Sequence, residues 1–84
     1  MTSKQRAYLR GLANKIDAIF QVGKNGISDN LIMQVNDALE ARELIKLNVL
    51  ETSPEDIQEI ANTLSEATNS VLVQTVGNKI TLYR

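Results

Sequence analysis

The turn Gly23-Lys24-Asn25-Gly26 holds the residue types with the most chemistry to offer in this chain. Glycine tolerates φ > 0 and leaves the backbone unshielded, so amide N–H groups ahead of a following helix can face an anion while Lys24 adds a point charge. That chemistry is phosphate binding. It is not nucleotide hydrolysis or dinucleotide binding, because neither the G-x-x-x-x-G-K-[ST] nor the G-x-G-x-x-G spacing occurs. The same four residues also make an ordinary tight turn, where Asn-Gly is favoured on steric grounds alone. A second group of candidates precedes the turn. Lys4, Arg6, Arg10 and Lys15 lie on a stretch of helical periodicity, and with Lys24 they give residues 1–26 five cations against Asp17 alone. Residues 27–84 carry four cations against nine acids, so a net +4 is followed by −5. The asymmetry predicts a basic pole and an acidic flank, although the overall charge of −1 is not that of a strong polyanion binder.

Composition removes most other chemistry. The 84 residues include no Cys, His or Trp, so there is no disulfide, thiolate nucleophile, imidazole base or Cys/His metal site. The carboxylates Glu51 and Glu55 flank a helix start, where the helix dipole accounts for them, and no nucleophile–base pair accompanies them. A non-enzymatic protein without a cofactor is expected. The longest apolar runs fall far short of the roughly 20 residues that cross a bilayer, and the N-terminus leads into no signal-type apolar core. The expectation is a soluble, cytoplasmic, monomeric domain with no membrane partner, spanning residues 1–84 around one core.

The elements that must position these residues follow from periodicity. Thr2 and Gln5 form a capping box, and Tyr8, Leu9, Leu12, Ala13 and Ile16 give a helix over residues 3–16 with that stripe inward. Lys4 and Lys15 flank the stripe on one side and Arg6 and Arg10 on the other, with Ala7, Gly11 and Asn14 facing outward. Residues 18–22 read as a strand leading into the glycine turn. Ser28 caps a second helix with Asp29 in its first turn and Leu31, Ile32, Val35, Ala38 and Leu39 inward. Residues 44–49 alternate as a strand, and Ser53-Pro54-Glu55-Asp56 signals a third helix running to about Ala67. Residues 70–76 and 79–83 are strands joined by a Gly77-Asn78 hairpin turn.

The order α-β-α-β-α-β-β predicts an α/β (α+β) domain. Right-handed strand-helix-strand crossovers give parallel strands, and the hairpin adds an antiparallel one, which makes a mixed four-stranded sheet. Lys46, Asn48, Lys79, Thr81 and Tyr83 fall on one face of it, so a largely two-layer arrangement with that face open is expected. The third strand does not alternate cleanly and reads as an interior strand. Tyr8 and Phe20 read as core, and Tyr83 as a stacking candidate on the open face.

Four blocks in order, Ser3-Lys4-Gln5-Arg6-Ala7-Tyr8-Leu9-Arg10 with Leu12-Ala13, Val22-Gly23-Lys24-Asn25-Gly26, Glu43-Leu44-Ile45-Lys46, and Val76-Gly77 through Leu82-Tyr83-Arg84, resemble the CRM domain (chloroplast RNA splicing and ribosome maturation) in its stand-alone bacterial form, the YhbY-like proteins. The resemblance covers residues 2–84. It implies the fold of the C-terminal domain of translation initiation factor 3, with sheet order 1-2-4-3 and strand four antiparallel. It also implies an RNA-binding module without enzymatic activity, whose partner is ribosomal RNA or the precursor of the large ribosomal subunit. In that family the G-x-x-G loop, here Gly23 to Gly26, is likened to the backbone-clamping loop of KH domains.

Two functions follow. One is RNA backbone binding through Gly23, Lys24, Asn25 and Gly26, with Lys4, Arg6, Arg10 and Lys15 forming one surface with the loop and Lys46, Lys79 and Arg84 as possible additions. Scarcity of aromatics favours structured RNA over single strands. The other is an adaptor that docks on ribosomal or other basic proteins through the acidic third helix or the open sheet face.

Overall fold

In the computed structural model, which describes every residue from Met1 to Arg84, the chain runs α1 (Ser3–Ala13), β1 (Phe20–Val22), α2 (Asp29–Arg42), β2 (Leu44–Val49), α3 (Ile57–Thr68), β3 (Val71–Val76) and β4 (Lys79–Tyr83). The sheet order is β1-β2-β4-β3. β1 pairs parallel with β2, and β4 pairs antiparallel with both of its neighbours. Element order, mixed sheet and strand order are those expected.

Local chemistry sets the boundaries. Thr2 accepts from the Gln5 N–H at 3.1 Å while the Gln5 side chain accepts from the Thr2 N–H at 2.9 Å, so the capping box forms. α1 stops at Ala13 rather than residue 16, and the Lys15 and Ile16 N–H groups bond to Leu12 and Ala13 in a tighter closing turn. Ser28 caps α2 through the Leu31 N–H. α3 starts later than Ser53-Pro54 suggests. Ser53 Oγ donates to the Glu55 carbonyl, and Asp56 takes the cap position by accepting from the Glu59 N–H at 2.8 Å. Asn69 ends α3 in the left-handed conformation, and Gly77 at φ +59° turns the hairpin.

One face of the sheet carries the main core. Ile45, Leu47 and Val49 of β2, Ile80 and Leu82 of β4 and Val22 of β1 pack against Leu31, Val35 and Leu39 of α2 and Ile60, Ala61 and Leu64 of α3. Each of the Val, Leu and Ile side chains contributes about 1.5–3 kcal/mol through burial. Arg84 closes this layer from the C-terminus, donating to Asn36 Oδ1, to the Asn36 and Thr68 carbonyls and to Glu40 at 2.6–3.1 Å. It ties α2 to the end of α3 and is no part of a free basic surface.

The opposite face is not open. α1 packs against β2 and β3, Leu9 and Ala13 are buried outside the main cluster, and Thr81 retains only 1% exposure. The two-layer expectation therefore holds for α2 and α3, and α1 adds a partial third layer. Arg6 anchors it, donating to the Leu72 and Val73 carbonyls at 2.7 and 2.9 Å. The buried side of α1 runs through Arg6, Leu9, Ala13 and Ile16, so Tyr8 is 69% exposed and Leu12 is exposed as well. Tyr8 is not a core residue, and Arg6 is not a free cation.

β3 also departs from expectation, lying at the sheet edge rather than inside. Its broken alternation comes from a β-bulge between Leu72 and Gln74, which buries Val73 against the α1 side, beside the Leu72 and Val73 carbonyls that Arg6 takes. Arg6→Ala should therefore lower stability by about 1–3 kcal/mol in urea unfolding. Arg10→Ala, which removes an exposed cation one turn on, should stay within about 0.5 kcal/mol of the parent protein.

Candidate nucleic-acid interface

The glycine loop leaves the sheet at the end of β1, where Val22 is buried and Lys24 and Asn25 stand exposed. The Gly26 N–H donates to the Gly23 carbonyl at 2.9 Å and closes the turn. The next amide, Ile27 N–H, donates to Glu55 Oε1 at 3.0 Å, across from the segment ahead of α3. Gly26 is buried at φ +59°, and a Cβ there would overlap the Glu55 carboxylate. Conformation and space thus both require glycine at this position. Gly23 differs: a Cβ would meet only Leu50 and Thr52, at 3.6 and 3.7 Å.

Beside the loop lies an open groove of about 340 Å³ between Gln21 of β1, the loop and the first turns of α2. Asn25, Ser28, Asn30 and Gln34 line it with carboxamides and a hydroxyl, and Lys24 is the only charged lining residue. The N–H groups of Gly26 and Ile27 are engaged within the protein. Those of Lys24, Asn25, Ser28, Asp29 and Asn30 have no protein partner. The groove therefore offers backbone donors at a positive helix end, neutral side-chain donors and acceptors, and one ammonium group. No cluster of three acids suited to a metal ion occurs.

The other sequence candidates sit elsewhere. Lys4, Arg10 and Lys15 are exposed on or just beyond α1, and no α1 residue lines the loop groove. Lys4 shares a separate groove with Tyr83, which pairs with Leu44 at one end of β2. The loop follows Val22, which pairs with Val49 at the other end. That is about 17 Å away at the usual rise of about 3.3 Å per residue. The Lys4 end of α1 and the loop are thus two separate patches. Lys46 is half-buried and Lys79 exposed.

Sequence reasoning missed Glu55 as the residue that orders the loop, because a contact between positions 28 residues apart leaves no local pattern. It also missed the carboxamide lining. Asn30 and Gln34, one helical turn apart, are the signal that was available for that.

The family model of the CRS1 / YhbY (CRM) domain matches residues 1–84. The chain is 50% identical over 84 residues to the "Probable RNA-binding protein YqeI" of Bacillus subtilis, covering all of this chain and 88% of that one. It is 33% identical over 84 residues to an "RNA-binding protein" of Haemophilus influenzae, covering 100% and 85%. The solution structure of a Staphylococcus aureus protein superposes with a TM-score of 0.84 at 56% identity, over 100% of this chain and 88% of that one.

The loop geometry separates its two glycines. Gly26→Ala should destabilise the protein by about 1–3 kcal/mol, while Gly23→Ala should be nearly neutral. Combining Gly26→Ala with Glu55→Ala should recover part of the loss, because the two changes remove one clash between them. Denaturant unfolding of the three variants measures this directly.

Proposed function

We propose that this chain, which belongs to the CRS1/YhbY (CRM) domain family, binds RNA by its backbone at the Gly23–Gly26 loop and acts in the cytoplasm on ribosomal RNA during assembly of the large subunit. The observation that carries this reading is the groove at the loop, where unpartnered backbone N–H groups surround Lys24 with no carboxylate in the lining. The names of its full-length relatives as RNA-binding proteins support it.

In this reading Lys24 contacts a phosphate, and the free amides of Lys24 and Asn25 contact the same or the neighbouring one. Gly23 adds close approach. A Cβ would fit there, so the fold does not itself demand glycine, and its bare backbone is open to an incoming phosphate. Gly26 and Glu55 hold the loop in shape from behind and touch no RNA. Lys4, Arg10 and Lys15 form a second contact patch on α1, and Arg6 stays with β3. An RNA that meets both patches spans about 17 Å or more, which suits a folded or double-stranded segment. The RNA is held rather than turned over.

Lys24→Ala should weaken binding to a large-subunit ribosomal RNA fragment and lower the slope of log K against log salt by about 1. Arg42→Ala, removing an exposed cation from the far end of α2, should leave that slope almost unchanged. Equal affinities for Lys24→Ala and the parent protein across the salt series would refute the loop as the RNA site.

A further inference from the structure

The face of α1 that the fold leaves in solvent is aromatic as well as basic. Thr2, Lys4, Gln5, Tyr8 and Leu9 line an open groove of about 620 Å³ together with Tyr83 from the end of β4. Its size falls within the range of ligand-binding pockets. Tyr8 is 69% exposed, so the fold makes little use of its ring. Lys4 stands one helical turn before Tyr8 on the same side of α1, and Lys15 follows on that side in the closing turn. Lys4 is the only charged residue in the lining, and Asp17 is the only acid in residues 1–26.

We infer that this groove takes an unpaired RNA base, stacked on Tyr8 and bounded by Tyr83, with Lys4 on the adjoining phosphate. The inference rests on the RNA-binding reading above and adds to it a second site of different chemistry at the opposite end of the sheet. An aromatic ring beside a lysine, with no acid in the lining, matches a base with its phosphate, because every base has a π-face and every nucleotide a negative charge. A second copy of the chain fits less well. Six lining residues are far fewer than the roughly 20–30 per partner of a stable protein interface. The site stacks without reading sequence. The Thr2 hydroxyl oxygen and the Gln5 side-chain oxygen already accept from each other's backbone N–H groups in the capping box, which holds both side chains to the helix end. The RNA it fits has an unpaired nucleotide lying about 17 Å or more from the backbone held at the loop.

The protein carries its own reporter. It has no tryptophan, and both of its tyrosines line this groove, so tyrosine emission reads the site alone. Titration of the intact protein with short, unstructured oligouridylate should quench that emission. Tyr8→Ala should weaken oligouridylate binding about 10-fold, the worth of one stacked base, and Tyr8→Phe should retain it. Because Tyr8 is exposed, circular dichroism and unfolding of both variants should match the parent protein. Unchanged emission, or wild-type affinity in Tyr8→Ala, would overturn the inference. So would a dimer in sedimentation that Tyr8→Ala abolishes while RNA binding persists, since the groove would then belong to a second copy. Lys24→Ala separates this outcome from the wider one. If Lys24→Ala loses affinity for structured RNA and Tyr8→Ala is silent, only the groove's role falls. If neither variant changes binding to any RNA, the loop falls as the RNA site with it, and if the parent protein binds no RNA the whole RNA-binding reading falls.

Discussion

β4 has to be buried on both faces, and the rest of the molecule is arranged around that requirement. It lies between β2 and β3, and Ile80, Thr81 and Leu82 are all lost to solvent in succession. Strict alternation sends Ile80 and Leu82 toward α2 and α3 and Thr81 the other way. Some element must cover Thr81, and the only helix free to do so is α1, at the other end of the sequence. α1 is short and buries just Leu9 and Ala13, too little apolar surface to hold it by hydrophobic contact alone. The Arg6 guanidinium supplies the rest by gripping two carbonyls of β3 at its bulge. With that grip in place, the rotation of α1 is fixed, and Tyr8 is turned outward.

At the other end of the sheet the controlling contact is between an acid and an amide. Charge counting makes Glu55 part of an acidic flank that opposes RNA. In the fold its carboxylate accepts the Ile27 N–H and fills the space over Gly26. A negative group behind the loop organises it, while the groove in front is lined by neutral side chains and one lysine. Net charge is therefore a poor guide here, because the sign of a surface depends on which acids are turned inward to backbone donors.

The sequence was most legible where one local pattern had no rival. β2 alternates cleanly and has its expected bounds, Ser28 had no competitor as the α2 cap, and Gly77-Asn78 marked the hairpin. The start of α3 was obscured because Ser53 and Asp56 are both good caps, and the choice between them depends on hydrogen bonds local to that turn. β3 misled because a bulge shifts the phase of alternation midway, so an edge strand looks like one buried on both faces. α1 misled because periodicity finds the widest apolar stripe, and Tyr8 and Leu12 widen it on the wrong side. An arginine that points at the sheet carries no apolar signal, so pattern reading places it with the solvent. Of the candidate site, the loop was legible from composition. The residues that hold it and the groove beside it were not, because they come from separate segments.

The division of labour among the cations follows from their shapes. The planar guanidiniums of Arg6 and Arg84 each meet several oxygens at once, and both lie inside the fold, joining α1 to β3 and the C-terminus to α2 and α3. No lysine side chain makes a hydrogen bond or an ion pair with the protein, and the one salt bridge belongs to Arg84 and Glu40. The fold thus takes up two of its four fork-shaped donors where geometry must be rigid, and leaves Arg10, Arg42 and the lysine ammonium groups without a protein partner. Ammonium groups suit phosphates, which need charge more than fixed direction, and they give contacts that weaken with salt and ignore base sequence. On the RNA-binding reading proposed above, such a domain would recognise RNA by where its contact points stand, at two ends of one sheet, rather than by what each reads.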